Sequence, residues 1–262
     1  MQYAICLLGS IPVRKEPNHR TEMVTQLLFG EMLEILLTDG NWIRIKNVHD
    51  GYQGWVDSRQ VVPLSDENYY KMRSLPVSYS AELIFPVSCE TTGSELYIPL
   101  GSRLYNMKEG SFTVGQSRFS FSGRMYTFPF KSDANTLMSN ALRLLNTPYL
   151  WGGRTMAGID CSGFVQLVFG LSGIELPRDA SQQVQFQGLS LSFINEAQPG
   201  DVAFFDNSDG QVTHVGILDG EGQIIHASGQ VRIDPVDHQG IFNPETKTYS
   251  HQFRIAKSFI GM

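Results

Sequence analysis

The hydrophobic period of this chain changes once, and that change limits the folds open to it. Up to about residue 130, apolar and polar residues alternate in short runs broken by turn residues, as in Trp42-Ile43-Arg44-Ile45-Lys46 and Ser111-Phe112-Thr113-Val114-Gly115. A period of two sets one side of each run against a core and the other in water, the pattern of half-buried strands. After Pro129, the residues Leu137, Ala141, Leu144 and Leu145 recur at helical spacing until Pro148 stops the run. Ser132-Asp133-Ala134-Asn135 offers that helix an N-cap. A second helix is expected to start near Cys161, with Phe164, Val165, Leu167 and Val168 as its buried face. The stretches 200–205, 214–218 and 223–227 then read as three strands joined by Gly- and Asp-rich turns. Helices followed by a sheet predict an α+β domain that needs no doubly wound crossover.

At 262 residues the chain has room for several modules, each with a modest core. Residues 1–63 form the first, all-β, with Asp39-Gly40-Asn41 as a turn between antiparallel strands. Residues 64–80 read as a polar, Tyr-rich connector, 81–130 as a second all-β module and 131–262 as the α+β domain. In the first module, Val13-Arg14, Leu28-Phe29-Gly30-Glu31, Trp42-Ile43-Arg44-Ile45 and Gly54-Trp55-Val56 resemble the landmarks of a bacterial SH3 domain. The second is read as a divergent SH3-like barrel, on Glu95-Leu96-Tyr97-Ile98-Pro99-Leu100-Gly101 and on 111–115.

A net charge of −6, with no basic run, argues against a nucleic-acid partner, because phosphate binding leans on clustered Lys and Arg. No run of about 18 apolar residues is present to span a membrane. The N-terminal MQYAICLLGS lacks a basic region before its short apolar run and does not read as a secretory leader. A cytoplasmic protein is therefore expected, or else a secreted or periplasmic one whose leader has been removed. Cys6, Cys89 and Cys161 are too few and too irregular for a disulfide framework or a paired-Cys metal site. No metal, no cofactor and a monomer are expected.

Chemistry concentrates between residues 147 and 228. A cysteine in the first turn of a helix, as expected for Cys161, faces the positive end of the helix dipole, which favours the thiolate; the free amides of the same turn can hold an oxyanion. A neighbouring imidazole must accept the thiol proton and return it to the leaving amine, and His214 on a predicted strand is the candidate. A third polar group orients that imidazole. His226 can do so if its strand pairs antiparallel with that of His214 through the turn Asp219-Gly220-Glu221-Gly222. Cys6 and Cys89 are read as inert buried thiols, and His19, His49, His238 and His251 as structural.

The order Tyr-x-Trp-Gly-Gly, Asp-Cys-Ser-Gly-Phe-Val, Pro-Arg-Asp-Ala, Pro-Gly-Asp-Val-Ala-Phe-Phe, Thr-His-Val-Gly-Ile and Ile-His-Ala-Ser resembles the NlpC/P60 family of papain-like cysteine peptidases. The resemblance implies a triad of Cys161, His214 and His226, Tyr149 near the oxyanion, and a structural Gly152-Gly153. It implies as substrate the stem peptides of bacterial cell wall, cut between γ-D-glutamate and the diamino acid. The SH3-like modules resemble those of the γ-D-glutamyl-L-diamino acid endopeptidases, which need a free N-terminal L-Ala and act on released murein peptides in wall recycling. Glu22 and Tyr52 are the candidates to bind that amine, helped by Asp160, while Ser162 and Ser181 would line the substrate groove. A secreted hydrolase of intact wall and a non-catalytic wall-binding protein are the alternatives.

Overall fold

The computed structural model describes residues 2–127 and 133–260. The chain forms two compact units, 1–130 and 131–262, and its fold class is α+β as expected.

In the first unit, seven antiparallel strands lie in the order 23–28, 10–14, 53–57, 42–47, 32–39, 3–5 and 62–64. Asp39 pairs with Trp42 across the two residues Gly40 and Asn41. Gly40 sits at φ 56°, a left-handed conformation that a tight hairpin demands and glycine adopts without a Cβ clash. Ile43 and Ile45 are buried while Arg44 is exposed, so the alternation in the sequence maps onto a core of Cys6, Ile11, Val13, Leu27, Leu33 and Val56.

The connector and the second module are more closely joined to the first than the sequence suggests. The connector carries a helix, Asp66–Arg73, capped by the Ser65 side chain on the Asn68 amide. Its Tyr69 and Met72 bury themselves in a second core with Ile5, Phe29, Val87, Leu104 and Phe112. Val77–Ser80, upstream of the expected start at 81, is already a strand paired with Arg103–Tyr105 and Met125–Thr127. A four-stranded sheet in the order 94–99, 84–89, 117–120 and 111–114 completes this half. Burial pushes the Cys6 thiol up to about 12, in keeping with an inert residue.

In the second unit, Asp133 caps the helix Ala134–Leu142 through the Thr136 amide; Pro129 and Ser132 lie outside the described residues. The helix Cys161–Gly170 is buried from Cys161 to Phe169. That matches its nearly unbroken apolar sequence, since a helix apolar on every face must be covered on every face. It packs on the strands Val212–Leu218 and Gln223–Ser228. They belong to an antiparallel sheet in the order 189–190, 248–258, 202–206, 212–218, 223–228 and 230–235, to which 240–243 adds on the strand 248–258. The three expected strands are present; 230–235 and the long 248–258 were not foreseen.

Candidate active site

Period-two geometry assembles the site. Gly216 pairs with His226, and His226 with Arg232. Cross-strand partners share a face, as do residues two apart, so His214, Gly216, His226, Arg232 and Asp234 all project from one side of the sheet. Gly216 is required there, because a Cβ would lie 2.8 Å from the Cβ of His226.

A buried polar chain results. His214 Nε2 lies 2.8 Å from His226 Nδ1, and His226 Nε2 lies 2.9 Å from Asp234 Oδ2. Arg232 holds the same carboxylate through Nε and Nη2, each at 2.8 Å. Burial alone would raise the Asp234 carboxyl, but its bonds to His226 and Arg232 outweigh that and hold it below the ordinary carboxylate range. An ionised Asp234 accepts only, so His226 donates from Nε2 and accepts at Nδ1. His214 must then donate from Nε2, which leaves the lone pair of Nδ1 free to take a proton. The second histidine therefore acts through a carboxylate that the motif order did not reveal.

Cys161 opens its helix directly after the N-cap Asp160, with the backbone amides of Val215 and Ser162 in hydrogen-bond reach of its thiol. The helix-terminal amide favours the thiolate as the sequence suggests, but burial outweighs it. Burial pushes the thiol up to about 12, aided by the charge of Asp160 and opposed by Arg178 and the two amides. Burial likewise holds His214 well below its ordinary value, with His251 and His226 adding to the effect. A low-dielectric site penalises either charge alone. Burial thus disfavours an isolated thiolate at Cys161 and an isolated imidazolium at His214.

Asp160 accepts from the Gly163 amide (2.7 Å), the Gly152 amide (2.8 Å) and the Ser162 hydroxyl (3.3 Å). Fully buried Arg178 grips both of its oxygens, at 2.9 and 2.6 Å, and donates to Ser162 Oγ at 2.8 Å. A carboxylate offers about four lone-pair sites, so Asp160 and Ser162 are engaged in anchoring the nucleophile's helix and its preceding loop. Gly153 belongs to that anchor, since a Cβ there would meet the Gly158 carbonyl at 2.4 Å. Tyr149 is half-buried with its hydroxyl within electrostatic reach of Cys161. Burial, then Cys161 and Asp160, push it up to about 12, so it remains an O–H donor at neutral pH.

Ser181 is exposed and lines a groove beside the helix Ala180–Gln183. Glu22 and Tyr52 belong to the first unit, where Glu22 pairs with Lys15 at 3.2 Å and the Tyr52 amide donates to Asp50. His251, read as structural, stacks on His214 with ring centroids 4.0 Å apart and planes at 22°. Among the described residues, no group of three His, Cys, Asp or Glu side chains converges as a metal site.

A central helix opening on cysteine, packed on an antiparallel sheet that presents a histidine relay, defines a papain-like thiol hydrolase. Residues 146–249 match the NlpC/P60 family and residues 13–61 the bacterial dipeptidyl-peptidase SH3 domain. The chain thus carries a domain of the NlpC/P60 cysteine peptidase family, with a bacterial SH3 domain ahead of it. It is 27% identical to a γ-D-glutamyl-L-lysine dipeptidyl-peptidase of Bacillus cereus over 85% of this chain and 73% of that protein. Its identity to the Bacillus subtilis protein of the same name is 26%, over 78% and 71%. An NlpC/P60 protein from Bacillus cereus of known structure shares the fold, with a TM-score of 0.84 at 20% identity over 98% of this chain and 99% of that one.

Proposed function

We propose that this chain hydrolyses the bond between γ-D-glutamate and the diamino acid in released murein peptides with a free N-terminal L-Ala, as a cytoplasmic, monomeric enzyme of wall recycling. One observation carries the proposal: the similarity to the two dipeptidyl-peptidases runs through the SH3 domain as well as the catalytic domain.

The relay supplies the chemistry. As Cys161 Sγ attacks the γ-glutamyl carbonyl, its proton passes to His214 Nδ1, and the imidazolium is stabilised through His226 by Asp234. The Tyr149 hydroxyl and the Cys161 amide would receive the oxyanion, a contribution of roughly 3 kcal/mol per donor in comparable sites. Collapse breaks the C–N bond, and His214 gives its proton to the diamino-acid amine. Water, deprotonated by His214, then attacks the thioester and releases L-Ala-γ-D-Glu and the thiol. The Glu22 carboxylate, with Tyr52, is the proposed partner of the substrate ammonium. An N-acylated peptide brings no charge to that carboxylate and could not form the pair, which gives the preference for a free terminus.

The test is hydrolysis of L-Ala-γ-D-Glu-diaminopimelate beside its N-acetylated twin and beside intact sacculi. Cleavage of the free peptide alone is expected. Equal cleavage of both peptides, or digestion of sacculi, would instead favour a wall-remodelling hydrolase. That reading draws on a 40% identity to the probable endopeptidase p60 of Listeria seeligeri, confined to 105 residues of this chain.

A further inference from the structure

A groove of about 740 Å³ runs beside the catalytic strand, lined by Ser181, Val184, Gln211, Val212, Arg254 and Lys257 among others. Two of its lining segments are neighbours of the site in the chain. Val212 lies two residues before His214 on the same strand. Ser181 and Val184 flank Gln183, whose Nε2 donates to the carbonyl of Ser162, next to the nucleophile.

Charge sets this groove apart. In a chain of net charge −6, its only ionic lining residues among the described residues are the two cations Arg254 and Lys257. Lys257 Nζ donates to the carbonyls of Val184 and Phe186, at 2.6 and 3.1 Å, which fixes its position without neutralising it. Arg254 is 61% exposed, and Asp206, its ion-pair partner, stands 3.9 Å away. That separation is too long for a hydrogen bond, and Asp206 Oδ1 is buried with no hydrogen-bond partner among the described residues. The guanidinium therefore has donors to spare for a ligand in the groove.

The direction of the reaction says which part of the substrate comes here. His214 protonates the leaving amine, so the leaving diamino acid lies on the side of His214, while the acyl portion lies toward the helix N-terminus and Tyr149. Val212 is about 7 Å from His214 along the strand, comparable to the reach of a diamino-acid side chain or of one further residue. We propose that this groove is the leaving-group subsite and binds a carboxylate carried by the leaving portion beyond its reacting amine, with Arg254 as the specificity-determining cation. The lysine side chain would bring an ammonium alone against two like charges, whereas a diamino acid with a second carboxylate beside its side-chain ammonium brings a net neutral end and a partner for Arg254. The proposal deepens the function proposed above and rests on it.

The test is steady-state hydrolysis by wild type and Arg254→Gln of four peptides beginning L-Ala-γ-D-Glu: one ending in diaminopimelate, its side-chain amide, its C-terminal amide, and one ending in lysine. Arg254 is exposed, so the variant is expected to fold, with unchanged circular dichroism. The expected result is a KM about tenfold higher for the variant on the diaminopimelate peptide, about 1.4 kcal/mol, with kcat nearly unchanged. One of the two amides should show the same loss in wild type and no further loss in the variant, which identifies the carboxylate bound. Equal KM values for both enzymes on every peptide, or a wild-type preference for lysine, would overturn the subsite and leave the peptidase standing. Failure of wild type to cleave any of the four would overturn the proposed function, and the subsite with it.

Discussion

Asp234 stands 2.9 Å from the Nε2 atom of His226, the side of that ring turned away from His214. It is thus two hydrogen bonds removed from the base, yet it decides which nitrogen of each imidazole carries the proton. Asp234→Asn offers an amide N–H in place of a lone pair and favours the reversed arrangement, in which His226 donates to His214. His214 would then hold its proton on Nδ1 and could not accept another from Cys161. A fall in kcat on the order of 10³-fold is expected, with KM and melting temperature little changed. Steady-state kinetics beside a thermal melt checks it, and a loss of both activity and fold would show a merely structural carboxylate.

The stacking of His251 on His214 predicts a different pattern. A flat, neutral ring over the base restricts its rotation, so His251→Phe, which keeps the ring, should hold most of the activity. His251→Ala opens a gap beside His214 and should lower kcat by about tenfold, through misplacement of the base rather than loss of a charge. Equal kcat in the two variants would remove the positioning role.

How much of this was legible in the sequence follows from the range of the contacts. His214 and His226 could be paired from the sequence because one short turn joins their strands, and Cys161 because its helix and flanking motif are local. Asp234 was within reach of the same logic: Gly229, at φ 71°, turns the chain into the next strand, and period two from there brings Asp234 beneath His226. His251 was not, because its position depends on 248–258 pairing with 202–206, about 45 residues upstream. Tyr69 and Met72 looked like connector residues for a related reason. Their short helix buries them in a core assembled from strands on both sides of it, which no local pattern announces.

The acid limb of the stability curve should trace to His251 together with His214, which burial also holds below its ordinary value. Burial, with His226 adding to it, holds the His251 imidazole down to about 4, below the ordinary value of 6.5, and Asp234 opposes the shift only in part. Between those two pH values the unfolded chain binds a proton that the folded chain does not, so stability falls as the pH drops from 6.5 toward 4. Cys161 gives an alkaline counterpart: its thiol is raised to about 12 from 9.0, so stability is intact below 9 and declines as the pH rises above it. Melting temperature against pH should show a plateau between about 6.5 and 9. His251→Phe should make the acid side shallower and Cys161→Ala the alkaline side, with His214 and Cys6 carrying part of what remains.

Arg178 gives the sharpest stability prediction. Its side chain is 1% exposed and that of Asp160 9%, so each charge depends on the other for the solvation it has lost. Removing one partner strands a buried charge, and Arg178→Leu should therefore destabilise the catalytic domain by about 3–5 kcal/mol. Pairing it with Asp160→Asn should recover part of that loss, because the stranded charge is gone, although the cap on the Gly163 amide is weakened. Urea denaturation of the full chain and of the single and double variants measures the coupling. Additive losses would mean that Arg178 and Asp160 contribute independently, and that the bidentate pair is not what holds Cys161 at the head of its helix.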